Sequence, residues 1–305
     1  MPLQVIILLL TTVALATTKP CTPPPLTKCP VILDGRIPSF AISIDFNTAQ
    51  GGGWSPFNPD YVKGSSLAWS DILLLPDAVP PSRFDRAQNQ RPLEVTISDE
   101  SIFMSQRGFR RAGLLFGADT NTGSPASTGV KTLHFSVRQD PSRPLNLTHE
   151  YLNVWHETAA YDANQFSFQA GTIFGQAGFP KDTFKLLDRD NKLVWSTPIV
   201  TDGSWQNFAL TLDFSNKRVP LSFPFFLSVA TMQVWYSAGD APLTKQGSII
   251  SANLAGEGQY QIGILKKPTG TSDVVNSGYQ SSNLDEGQIY GGIFIEDSAD
   301  GCVSI

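Results

Sequence analysis

Residues 132–158 read TLHFSVRQDPSRPLNLTHEYLNVWHET. Two stretches of it alternate with period two. In the first, Leu133, Phe135 and Val137 fall on one side and His134, Ser136 and Arg138 on the other. In the second, Leu152 and Val154 share a side with Glu150 and His156, and the opposite side carries His149, Tyr151, Asn153, Trp155 and Glu157. Apolar–polar alternation over this length marks a half-buried β-strand. All three histidines of the chain lie in this one segment.

The same pattern recurs outward. Leu93–Ile97, Asn164–Gln169, Phe184–Asp188, Phe208–Phe214, Tyr260–Leu265 and Gly291–Glu296 all read as strands. Turn clusters at Asp188–Lys192 and Lys267–Gly270 separate some of them. No long segment carries a 3.6-residue apolar stripe, and no βαβ spacing is present. The expected fold is all-β: a β-jelly roll, that is, a two-sheet antiparallel sandwich with a concave substrate cleft.

The first eighteen residues, MPLQVIILLLTTVALATT, have the apolar core and small-residue flank of a signal peptide, with Ala14-Leu15-Ala16 as the cleavage site. Residues 19–28 read as a flexible leader and 29–305 as one catalytic domain. Secretion sets an oxidising context, in which Cys29 and Cys302 bracket the domain and are expected to pair. Cys21 is then the odd thiol. Asn146-Leu147-Thr148 is an N-glycosylation acceptor. Residues 218–231 break the style of the chain: the run is apolar and interrupted by Pro220 and Pro224. They are expected to form an exposed, poorly ordered loop, as a late insertion or a translated intron.

The net charge of −5 and the absence of a basic tract argue against a nucleic-acid partner. No second segment is long enough to span a bilayer, so no membrane partner is expected, and the chain is expected to be a monomer. There is no Gly-rich phosphate loop, no G-x-S-x-G elbow and no zinc-ligand spacing, so no metal and no cofactor are expected.

The outward faces of three strands carry a sugar-binding mix of residues. Aromatic rings stack on the apolar faces of sugars, while amides, carboxylates and guanidinium groups bond the hydroxyls. Arg138, His149, Tyr151, Asn153 and Trp155 are the candidates to hold substrate. Glycoside hydrolysis commonly uses two carboxyl groups, and Glu94 and Glu157 are the outward pair, with His134 beside them to tune or replace one. Asp99, Glu100, Asp140 and Glu150 compete.

Several runs resemble fungal glycoside hydrolase family 131: Ser55–Gly64, Val130–Asp140, Leu145–Glu157, Thr183–Asp190, Gly256–Gly270 and Ile289–Cys302. The resemblance covers nearly everything from Cys29 onward. It implies a β-jelly roll acting on β-1,3-, β-1,6- and β-1,4-linked glucans, with inversion. Two rival readings are a lyase acting on a glucuronan-type polymer, with Tyr151 or His134 as base and Arg138 against the uronate, and a glucan-binding protein without catalysis.

Overall fold

The computed structural model describes residues 26–48, 54–86, 89–176, 178–222 and 225–305, with side chains left aside from 216 to 229. The expected signal peptide, Cys21 and most of the leader lie outside these residues. The strands in chain order are β1 (Val31–Asp34), β2 (Ile37–Pro38), β3 (Leu73–Leu74), β4 (Gln90–Arg91), β5 (Leu93–Ser98), β6 (Arg110–Leu115), β7 (Val130–Gln139) and β8 (Glu150–Glu157). They continue with β9 (Asn164–Gly171), β10 (Thr183–Asp188), β11 (Leu193–Pro198), β12 (Gln206–Ser222), β13 (Phe225–Ala238), β14 (Thr244–Ala252), β15 (Gln259–Lys266) and β16 (Asp285–Asp297).

Two antiparallel sheets form the sandwich. The larger runs β14-β13-β12-β7-β16-β5-β3, with β1 also paired to β16. The smaller runs β11-β10-β9-β8-β15-β6. Alternation decides what each strand gives to the space between them. Leu93, Val95 and Ile97 of β5 and Leu133, Phe135 and Val137 of β7 meet Phe166 and Phe168 of β9, Phe184 of β10 and Ile262 and Ile264 of β15 in one core. Phe135, Phe168, Phe184 and Phe208 pack there as an aromatic group with centroids 4.7–5.9 Å apart. His156 projects into the same interior, 4.3 Å from the Tyr260 ring and bonded to Ser127 at 3.0 Å.

Burial lowers the His156 pKa from 6.5 to about 3. The unfolded chain therefore takes up a proton that the folded chain refuses between those values, and stability falls as pH drops through that window. His156→Leu should flatten that fall, seen as a smaller difference in urea midpoint between pH 7 and pH 4. An unchanged difference would refute it.

β8 departs from simple alternation. Leu152 pairs with Gln169 and Val154 with Phe168, so Asn153 is an extra residue in a bulge. The bulge shifts parity by one. Tyr151 and Val154 face the core, while Leu152 and Trp155 join Phe109 and Leu265 in a separate cluster outside it. The expected grouping of Leu152 with Val154, and of Tyr151 with Trp155, is therefore wrong.

The segment 218–231 is not a loop. Its described residues continue β12 and β13 as a hairpin, pairing Lys217 with Val229 through to Ser222 with Phe225 after a register shift beyond Asp213. β7 pairs with β12 only as far as Asp213, and β14 with β13 only from Ala230. The extension is thus a two-stranded ribbon beyond the sheet. Pro220 is tolerated there because no third strand requires its missing N–H.

Cys29 and Cys302 are bonded, with Cα atoms 5.9 Å apart and 273 residues between them in sequence. Closing so long a loop restricts the unfolded chain strongly. Replacing both cysteines by serine should cost about 3–5 kcal/mol, measured by urea unfolding. A loss below about 1 kcal/mol would show that β1–β16 pairing suffices.

Candidate functional site

The outer face of the smaller sheet holds a chain of polar contacts. Glu157 ends β8 and is partly exposed. The Gln261 side-chain amide, on the neighbouring β15, donates to its Oε2. Arg111 of β6 donates from Nη2 to Gln261 Oε1 at 2.9 Å and from Nη1 to Gln106 Oε1 at 3.0 Å. Its guanidinium lies 5.8 Å from the Trp155 ring centroid and 5.5 Å from that of Phe103. The half-exposed Tyr61 ring meets Phe103 edge-on at 6.4 Å.

Burial pushes the Glu157 carboxyl above its usual value, against the opposing pull of Arg111. Burial also draws Arg111 down to about 10, still far above neutral pH. The arrangement is a carboxyl that holds its proton unusually well, positioned by an amide that a cation fixes in turn. A group of this kind suits proton donation to a leaving oxygen. Gly113 of β6 stands opposite Gln261 and Trp155, so that strand offers no second carboxyl at this point.

Asn153 and Trp155 lie on the same strand. Both are buried, and neither amide atom of Asn153 has a hydrogen-bond partner among the described residues. Gln169, beside it on β9, likewise leaves Oε1 unpaired. Buried amides without partners are satisfied by water or by ligand hydroxyls.

The other expected site residues sit elsewhere. Glu94 is fully buried on the outer face of the larger sheet, so the sandwich separates it from Glu157. Its two oxygens accept from Arg143 Nε at 2.9 Å and Nη2 at 2.8 Å, and Arg143 also meets Asp140 at 2.6 Å. Burial pushes the Glu94 carboxyl up and Arg143 pulls it back. Gly287 lies so close that any side chain there would collide with the carboxylate.

His134 is fully buried on that same face. Its Nε2 meets Glu296 at 2.9 Å, and its ring stacks on Phe294 at 4.3 Å with Phe84 edge-on at 5.1 Å. Burial lowers its pKa. The structure does not bring Glu94, Glu157 and His134 together: strand parity gave "outward" correctly for all three, but Glu94 and His134 point outward from the larger sheet and Glu157 from the smaller.

Arg138 also belongs to the larger sheet, beside Gly203. Tyr151 is a core residue whose hydroxyl donates to Glu286 at 2.7 Å and the Asn146 carbonyl at 3.1 Å; burial raises its pKa far above the usual range. His149 is buried, with Nδ1 2.8 Å from the Lys267 carbonyl. Asn146 accepts from the Thr148 hydroxyl at 2.8 Å. Among the described residues no cluster of His, Cys, Asp and Glu could hold a metal ion, and no helix is long and apolar enough to cross a membrane.

Sequence reasoning missed Arg111, Gln261 and Phe103. A signal for Gln261 existed, since it is the outward residue between Tyr260 and Ile262. Arg111 needed the neighbour order β6-β15-β8, which no local pattern contains.

A two-sheet antiparallel sandwich with a partly buried acid on one polar, aromatic-edged face has the architecture of a jelly-roll carbohydrate-active domain. The glycoside hydrolase 131 catalytic N-terminal domain matches residues 31–301, and the chain belongs to glycoside hydrolase family 131. It is similar to the crystal structure of a family 131 β-glucanase catalytic domain from Podospora anserina, at 21% identity and a TM-score of 0.67, covering 90% of this chain and 97% of that one. It is also similar to a family 131 catalytic domain from Coprinopsis cinerea, at 21% identity and a TM-score of 0.64, covering 88% and 94%. Among curated proteins none matches the chain.

Proposed function

We propose that the protein is a secreted hydrolase of β-linked glucans, with β-1,3-, β-1,6- and β-1,4-linked chains as substrates, and that Glu157 donates the proton to the leaving glycosidic oxygen. The observation that carries this is the raised proton affinity of Glu157 in contact with Gln261 and Arg111. Trp155 and Asn153 lie buried beneath this face, and the half-exposed Tyr61 ring against Phe103 is the aromatic surface beside it. The match to a β-glucanase catalytic domain supports the choice of polymer. Water attack with inversion would require a base some 6.5–9.5 Å from the acid; Glu94 does not serve.

A uronate polymer fits this face less well, because its cations are already matched. Lys267 bonds Glu150 at 2.6 Å, and Arg111 faces Glu157. Tyr151, the expected lyase base, is sealed in the core. Reducing-sugar release from laminarin and cellulose tests the proposal. Absorbance from a new double bond on glucuronan would overturn it in favour of elimination. Retained binding without any new reducing ends would leave a glucan-binding protein.

A further inference from the structure

β8 carries two glutamates on its outer face, one at each end. Glu157 is the proposed proton donor; Glu150 is about 20 Å away at the strand's rise per residue. Beside Glu150 is a pocket of about 400 Å³ lined by Thr148, Phe174, Lys267 and Thr269 among others. Its floor is charged but balanced. Glu150 is 3% exposed and meets Lys267 Nζ at 2.6 Å, while the Phe174 backbone N–H donates to its other oxygen at 2.7 Å.

That last bond fixes an apolar ring at the pocket's edge. Phe174 is pinned through its backbone yet 48% exposed. Tyr279 is 63% exposed and joined to Thr269 by paired backbone bonds of 3.1 and 2.8 Å. Its ring lies over buried His149, 6.5 Å between centroids and 26° from parallel. Two large rings left in water, Phe174 lining the pocket and Tyr279 joined by its backbone to Thr269 of the lining, match the chemistry of a neutral sugar. The rings cover C–H faces, and Lys267, Thr148 and Thr269 of the lining bond hydroxyls. A uronate would meet Glu150 without an unmatched cation to receive it.

We propose that this pocket is a distal subsite for a neutral sugar unit of the glucan, on the face where the chain is cut. The proposal rests on the hydrolase reading above. It makes long chains better substrates than short ones, because only a long chain reaches both ends of β8.

The test is the full protein with Phe174→Ala and Tyr279→Ala, assayed on β-linked gluco-oligosaccharides of increasing length. The expected result is an about tenfold fall in the ratio of kcat/KM for long over short substrates, with the thermal midpoint unchanged because both rings are exposed. A fall equal at all lengths, or none, would overturn the subsite. If the unmutated protein cuts no glucan, the hydrolase reading fails separately. Calorimetric titration with the longest oligosaccharide then decides the pocket alone: weaker binding by the variants supports it, and equal binding overturns it.

Discussion

Glu157→Gln should abolish glucan hydrolysis while leaving the fold and glucan binding in place. The substitution keeps the shape that Gln261 contacts and removes the transferable proton. Loss of a positioned general acid costs on the order of 10²–10⁴ in rate, and reducing-sugar assays should show that loss in kcat rather than in KM. The thermal midpoint should hold or rise, since the partly buried carboxyl carries a desolvation cost that the amide does not. The pH profile adds a second readout. A raised pKa keeps Glu157 protonated to higher pH than an ordinary glutamate, so kcat should fall on the alkaline side as the proton is lost. Gln261→Leu should move that limb, because the amide and Arg111 both favour the charged form. Near-normal turnover by Glu157→Gln would remove Glu157 from the mechanism.

Glu94→Ala should do the reverse, damaging the fold and sparing the chemistry. The carboxylate is fully buried and held by two bonds from Arg143, whose side chain is 24% exposed. Removing one partner of such a pair costs about 3 kcal/mol, lowering the thermal midpoint by about 6–10 °C for a domain of this size. Arg143 keeps Asp140, which limits the loss. Below the transition, kcat per folded molecule should stay within about twofold of the unmutated protein, because the interior of the sandwich lies between Glu94 and Glu157. A parallel loss of activity at full folding would return Glu94 to the catalytic site.

These two predictions mark where the sequence could be read and where it could not. Alternation placed Leu133, Phe135 and Val137 in the core and Glu94 and His134 on an outer face. The Cys29–Cys302 pair and the family likewise followed from the residues themselves. Alternation says only that a residue points away from the core. A sandwich has two such faces, and the assignment of Glu94 and Glu157 to different ones depends on strand order. The bulge at Asn153 is a second limit. It exchanges the sides of Tyr151 and Leu152 through one unpaired residue, and nothing in the local run Glu150–Glu157 announces it. Pro220 misled for a third reason: the objection to proline in a strand applies where two neighbours need its N–H, and the ribbon has only one.

The Cys29–Cys302 bond, with β1 laid against β16, makes the domain a closed loop of chain. Such a molecule has no topological need for its ends to be where they are. A version opened at the exposed Asp188–Lys192 turn, with a short linker joining residues 29 and 302, would present every strand pair unchanged. The same closeness lets the domain be inserted whole into the surface turn of another protein, both junctions leaving from one point.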